Sequence, residues 1–494
     1  MKRVIVLLLV FVTVASCFAA CTGEQKPADT TAEAVTTAAD GTETTEETVD
    51  QNYVADLPEE KFSGEFNILC EGAFWGTADN LYYEEASDDP VNDAVWHRCE
   101  VIKEQFDVEI MVTESADTTT ALKNSVKSGD NAYDAVVARM PLIASSAANG
   151  DLMDLKEADG IDLSKYYWDQ SANSQLSIAN KQFYTVGDII TVEDACTWTM
   201  MFNKGLAQRL DLEDLYAVVR EGRWTFDYFY NTMKDCGIAK PNDQGEWDYM
   251  ATYAFATHRD MAYGFFYAAG LSFIQKDNDD LPYLDAKDNE KIQNVLNYSL
   301  KVMRDTQLTI DAHKWTHVNP WATILTQDAF EQDRALFYAE VLSTIINLRS
   351  MDTDFGILPM PKYDDKQKDY ITFVNPAASL VGIPIYQKTK DNARKSGVIL
   401  EAMAYYGHEY VMPEYIEKAI KGKSTRDEKS IEMLEILFKH RMYDLGLIND
   451  WNAYASGYSD LVFNNKSEFS KLYKKVEKTI SKKINKFIEK IVTK

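Results

Sequence analysis

Long apolar runs, clustered basic side chains and cysteine–histidine arrays are all scarce in this chain, and each scarcity removes a class of function. Beyond the first 21 residues no stretch approaches 18 uninterrupted apolar side chains, so no further membrane-spanning helix is expected. Lys and Arg number 51 against 78 Asp and Glu, a formal net charge of −27. That balance argues against a nucleic-acid partner, because phosphate contacts need clustered cations. Six cysteines and six histidines are spread thinly over 494 residues. Cys70, Cys99, Cys196 and Cys236 match no metal-ligand spacing; they are expected as buried thiols, with a disulfide left open. His313 and His317 are four apart but lack convergent carboxylates or cysteines, so no metal is expected. The motifs G-x-S-x-G and H-E-x-x-H and the phosphate-binding P-loop are missing too. No cofactor is implied.

What is present begins with Lys2 and Arg3 ahead of an apolar run from Val4 to Ala15, broken only by Thr13. A run of about 12 residues is too short to cross a hydrocarbon core, which needs about 20. It has the charged start and small-residue exit of a secretory signal. Val14-Ala15-Ser16-Cys17 and Phe18-Ala19-Ala20-Cys21 both resemble the lipobox of bacterial lipoproteins, in which a cysteine after small residues receives a diacylglyceryl group. Cys17 has the better residue three positions ahead of it. Cys21 leads straight into polar Thr22-Gly23-Glu24 and is preferred. Two acyl chains anchor stably, since each buried CH₂ contributes about 0.8 kcal/mol. The competing reading is ordinary secretion without lipid. The expected location is the outer face of the cell membrane, held by the lipid.

Residues 1–20 therefore read as a signal peptide and 21–61 as an acidic tether rich in Thr, Ala and Glu. Such a segment has too few large apolar side chains to offset ordering entropy and is expected to be disordered. Folding is expected to begin near Phe62, with a strand at Glu65–Cys70. A helix from about Asn92 to Gln105 follows, capped by Asn92 or Asp93, then a strand at Val108–Val112. Next come a helix at about Thr119–Ser128 and a strand at Ala135–Ala138. Thr197–Phe202 and Phe355–Leu358 read as further strands, and Asp288–Thr306 as a long helix. Thr225 caps another helix, with Trp224 structural. Strands alternating with helices indicate βαβ units and parallel sheets. Residues 464–494, with ten lysines and three glutamates, form a basic amphipathic helix; docking on the acidic globule is preferred to lying on a membrane.

Five blocks share one family's pattern: Tyr133 to Ala138, Ala147 to Leu155, Thr197 to Lys204, Glu221 to Phe226 and Asp354 to Lys362. In their order and spacing, behind a lipobox, they resemble the extracellular solute-binding proteins of ABC importers, of the type that includes maltose-binding protein, in a Gram-positive lipoprotein branch. The resemblance covers most of residues 62 to 460. It implies an α/β chain with a two-lobe, periplasmic-binding-protein-like (type II) fold, hinge-linked around a central ligand cleft. Lobe 1 would take 62–190 plus 377–410, lobe 2 191–376 plus 411–463, with crossings near Thr191, Asn375 and residue 411. It further implies a monomer that hands its solute to the permease subunits of an ABC transporter.

A sugar needs aromatic faces for its C–H surface and carboxylates or amides for its hydroxyls. The resemblance places Glu71 and Trp75 in a ligand-contacting loop after the first strand, and Glu193 and Asp194 near a ligand-binding carboxylate at the first crossing. Trp75 could instead pack as core, and the two acids could be solvated hinge residues. Arg139 ends a strand, where a guanidinium could bind a hydroxyl or a uronate, or form a structural ion pair. Asp188, after Gly187, is a further candidate. Glu340 follows the strand Ala335–Tyr338, where the family often carries an aromatic contact; Trp321 or the Phe265-Phe266-Tyr267 run could supply the missing face, the run being core otherwise. Asn375 lies at the second crossing, with a turn role before Pro376 as the alternative.

The expected function is capture of a carbohydrate, an oligosaccharide by preference, and delivery to the permease, without catalysis. Two alternatives remain open at this level: a secreted glycoside hydrolase or polysaccharide lyase, and a peptide receptor of the same architecture.

Overall fold

A computed structural model describes residues 57–72, 77–284, 289–387, 389–420, 428–449, 451 and 453–492. Cys17, Cys21, Trp75 and most of the tether lie outside the described residues. The first lobe opens with β1 (Glu65–Glu71), β2 (Glu109–Ser115) and β3 (Ala135–Arg139). The second holds β4 (Trp198–Asn203), β5 (Tyr253–Ala256), a hairpin of β6 (Gln275–Lys276) and β7 (Pro282–Tyr283), then β8 (Ala335–Val341) and β9 (Phe355–Leu358). After β10 (Thr372–Phe373) the chain returns through β11 (Ser379–Gly382) to the first sheet, and β12 (Arg441–Met442) pairs with β10.

The two main sheets run β11-β3-β1-β2 and β5-β8-β4-β9. Parallel pairing, expected throughout, holds only in part. β1 lies parallel to β2 and β3, and β5 parallel to β8, but β11 is antiparallel to β3 and β4 is antiparallel to both β8 and β9. The reason is connectivity: β4 and β11 each enter their sheet directly from the other lobe, without a crossover helix to turn them round. β4, β5, β8, β9 and β11 are buried along their whole length, as strands covered by helices on both faces must be, while β2, at the edge of the first sheet, is mostly exposed or half-buried.

Local chemistry accounts for the element ends. The helix Pro90–Phe106 is capped by Asp89, whose carboxylate accepts from the amides of Val91 (3.0 Å) and Asn92 (3.3 Å). Asn92 and Asp93, the expected caps, lie inside the first turn. Pro90 fits there because its missing N–H would be unpaired anyway. Thr225 caps Phe226–Asp235 as expected, accepting from Tyr228 N at 3.3 Å, and Asn289 caps Glu290–Met303. Cys70, Cys99, Cys196 and Cys236 are free thiols. Trp224 is fully buried and donates to Pro359 O (2.9 Å).

The chain passes from the first sheet to the second along 186–197 and returns along 374–378, and the helical run from Lys390 to Ile420 packs on the helix Pro90–Phe106. Thr185 bridges Val381, and Thr197 bridges Val374. Packing of that run against the 186–190 segment is very tight. A Cβ on Gly407, where the helix loosens to a π turn (Gly407–Val411), would lie 1.9 Å from Asp188 O. A Cβ on Gly187 would lie 2.2 Å from Tyr167 O. Arg98, wholly buried, donates to Ile189 O (2.8 Å) and Asn80 O (2.7 Å), which fastens a lobe 1 helix to the first connection.

The C-terminal helix (Phe469–Val492) buries Phe469, Tyr473, Val476, Ile480, Ile484, Phe487 and Ile491. It packs on the helices Ala453–Phe463 and Glu290–Met303 and on β7, while its last turns reach Met140–Asn149. Lys181 Nζ donates to Ile491 O (3.2 Å) and Lys490 Nζ to Ala148 O (3.3 Å). One helix thus touches both lobes.

Candidate functional site

Strand direction brings polar side chains to one end of each sheet. β1 and β3 are parallel and end in Glu71 and Arg139; β11, running the other way, starts beside them, with Ser379 opposite Arg139. Arg139 Nε donates to both Glu71 oxygens (2.9 and 2.8 Å) and Nη2 to Oε1 (2.5 Å). The Glu71 side chain is 8% exposed and that of Arg139 37%, so the guanidinium forms the open side of the pair.

The second sheet has a matching edge. β5 and β8 run parallel, so His258 and Glu340 emerge together, and antiparallel β4 begins there with Trp198. His258 Nε2 and Glu340 Oε2 are 2.7 Å apart and nearly buried. The Trp198 ring stands edge-on to His258 at 5.5 Å, with its indole N–H unpartnered. Burial pulls the imidazole pKa of His258 down, but the Glu340 carboxylate outweighs it, and the net shift is upward. A run of backbone bonds links the two edges. Met140 N donates to Ala378 O, Ala378 N to Asn375 O, and Asn375 N to Cys196 O, each at 2.9 Å. Beyond these, Ser343 N donates to Ala195 O, also at 2.9 Å. The carboxyl ends of strands beside such a seam are where open α/β sheets hold ligands.

The remaining sequence candidates are placed differently. Asn375 Oδ1 accepts from Ala377 N (3.0 Å), a turn contact before Pro376. Trp321 stands just ahead of the helix Ala322–Glu331, makes no side-chain cap and is 70% exposed. That helix meets the short helix Thr344–Asn347, which follows β8, through Asn347 Nδ2 and Gln327 Oε1 (3.4 Å). Phe265, Phe266 and Tyr267 are fully buried; Phe266 stacks on Phe273 at 4.0 Å, and the run is core.

Glu193 and Asp194 face Arg441 of β12 in this structure and are 1% and 3% exposed. Arg441 Nη1 reaches Asp194 Oδ1 (2.5 Å), and Nη2 reaches Asp169 Oδ2 (2.7 Å) and Glu193 Oε1 (3.4 Å). Tyr443 donates to Asp169 (2.9 Å), and Asp188 pairs with His408 (2.6 Å). Burial raises the pKa of Glu193 far above the usual carboxylate value; Arg441 opposes, and Asp194, Asp169 and Asp188 add to the rise. Asp194 is pushed up to about 6, chiefly by burial. Glu193 Oε2 and Arg441 Nε are buried without a hydrogen bond. The cluster ties both lobes and the first connection to one guanidinium.

Sequence reasoning missed Asp169, His258, His408, Arg441 and Tyr443. His258 carried a usable signal, a polar residue just after the apolar run Tyr253–Ala256. Among the described residues no group of three or more His, Cys, Asp or Glu is placed to hold a metal ion. The chemistry on offer is hydrogen bonding: carboxylates that accept, and a guanidinium and an imidazole that donate.

No family model matches the chain, and no curated protein matches it. Solved structures do. An ABC substrate-binding protein of Listeria monocytogenes, solved with cycloalternan, superposes with a TM-score of 0.52 at 15% identity, over 86% of this chain and 100% of the other. The cyclic α-maltosyl-1,6-maltose binding protein of Arthrobacter globiformis gives 0.55 at 13%, over 87% and 100%. The maltose-binding protein MalE of Listeria monocytogenes, with maltose, gives 0.51 at 16%, over 88% and 98%. This chain accordingly has the two-lobe, type II α/β fold of the ABC solute-binding proteins of the maltose-binding kind.

Proposed function

We propose that this protein is an exported, lipid-anchored solute-binding protein that captures a carbohydrate, preferably an oligosaccharide, between its lobes and passes it to an ABC permease. The carrying observation is the pairing of two polar edges, Glu71–Arg139 and His258–Glu340, at the strand ends on either side of the hinge seam. Sugar hydroxyls both donate and accept; carboxylates receive their protons, and Arg139 and His258 donate to their oxygens. Trp321, and Trp75 beyond Gly72, are the aromatic faces for the ring carbons. A solute touching both edges stabilises the closed arrangement over the open one, and that difference drives closure. The leader, Cys21 (or Cys17) and the acidic tether support export and anchoring. The cycloalternan and maltose bound in the two superposed Listeria structures support the solute class.

Thermal unfolding against a panel of mono- and oligosaccharides and peptides tests this reading. A true ligand at a hundredfold excess over Kd adds about 2.7 kcal/mol, so one sugar class is expected to raise Tm while peptides leave it unchanged. A shift with peptides alone, or sugar cleavage on incubation, would replace the reading with a peptide receptor or a carbohydrate-active enzyme.

A further inference from the structure

The C-terminal helix divides its surface sharply. Opposite the buried stripe from Phe469 to Ile491, at 100° per residue, stand Lys471, Lys474, Lys475, Lys478, Lys482 and Lys486, within an arc of about 120°. All six are exposed. Glu489 is the acidic residue on that arc, one turn beyond Lys486 toward the C-terminus. With ten lysines and three glutamates, residues 464–494 carry a formal +7 in a chain of −27, so the rest carries −34.

Insertion of the apolar stripe into a bilayer is ruled out in this structure, because the stripe is spent on the protein. Charge attraction to the acidic body does not explain the lysines either, since their arc points away from it. We propose that this lysine face is a docking surface for an anionic lipid bilayer. The complementarity is one of sign and shape: a straight basic strip about 22 Å long, on a chain otherwise strongly negative, presents an orientation that an anionic surface attracts. Each lysine near such a surface strengthens partitioning roughly fivefold, and the attraction fades beyond about 10 Å at 0.1 M salt. The choice of a membrane as partner rests on the export and anchoring reading above; the binding itself does not.

Residues 21–494 with Cys21→Ser, which removes any acyl contribution, would be floated with phosphatidylcholine vesicles with and without phosphatidylglycerol. Binding is expected only with phosphatidylglycerol at low salt, with release at high salt. The combined variant Lys474→Gln, Lys478→Gln, Lys482→Gln and Lys486→Gln should lose at least about a hundredfold in partitioning with Tm unchanged, since none of the four is buried. A charge-matched control at Lys123, Lys127, Lys366 and Lys368, all exposed on other elements, should bind as before. Absence of binding at low salt, equal loss in the control, or binding to a soluble poly(glycerol phosphate) but not to vesicles would overturn the proposal. The quadruple variant should keep any sugar-induced thermal shift, so failure of solute capture and failure of membrane docking register separately.

Discussion

Arg441 holds Asp169, Glu193 and Asp194 on one guanidinium, with Asp188 and His408 alongside. Taking such charges out of water is costly, and the arrangement survives because each carboxylate has a cationic or hydrogen-bonding neighbour. Arg441→Met leaves the acids without their cation and should cost about 3–5 kcal/mol in urea unfolding. The loss should be smaller at pH 5 than at pH 8, where the orphaned acids must ionise. Trp321, by contrast, supports nothing. Its 70% exposure predicts that Trp321→Ala leaves Tm unchanged while weakening sugar binding about tenfold, as for an aromatic anchor, measured by calorimetric titration. Residues at strand ends were legible: Glu71, Arg139 and Glu340 each follow an apolar run, and His258 obeys the same rule. Arg441 was not. Its strand has two residues, and its partners lie about 250 to 270 positions earlier.

Elements with their own local signal read correctly. Alternation gave β1, periodicity gave Pro90–Phe106 and Phe469–Val492, and Thr225 marked its helix start. The cap at Asp89 was misjudged by three or four positions because Asn92 and Asp93 are equally good capping types; Pro90, fixed at the first helical position, decides for Asp89. Asp89→Ala should lower stability by about 1 kcal/mol, the usual cost of a lost cap, with an unchanged denaturant slope in urea titration. Its pair with Lys418 is partly exposed and adds little. Sheet polarity was not legible. β4 and β11 have strand composition, but their direction is set by which lobe the chain comes from, and no local residue records that.

For the whole molecule, several buried groups favour the proton-bound form. Asp194 and Asp444 are both pushed up to about 6, by burial before anything else. Between the ordinary carboxylate value and that figure the folded state holds protons the unfolded chain has released, so stability falls as pH rises. His408 and His258 have pKa values shifted upward overall by Asp188 and Glu340, against burial. Their stabilisation is complete below the unfolded value and is lost as pH climbs through the folded one, the same direction. Urea unfolding at pH 5 and pH 8 should therefore show the greater free energy at pH 5. Equal values, or a rise toward pH 8, would contradict the cluster.

The position of β11 has a consequence for how the chain is made. Its partner β3 is complete about 240 residues before Ser379 appears, so the first sheet must wait, one edge bare, while nearly all of the second lobe is synthesised. An unpaired edge kept open that long invites wrong partners, and pairing across so wide a gap is slow. A polypeptide threaded outward in an unfolded state and left to collapse only once its far end has emerged would never present that half-finished edge. For this topology, late folding is the safer schedule.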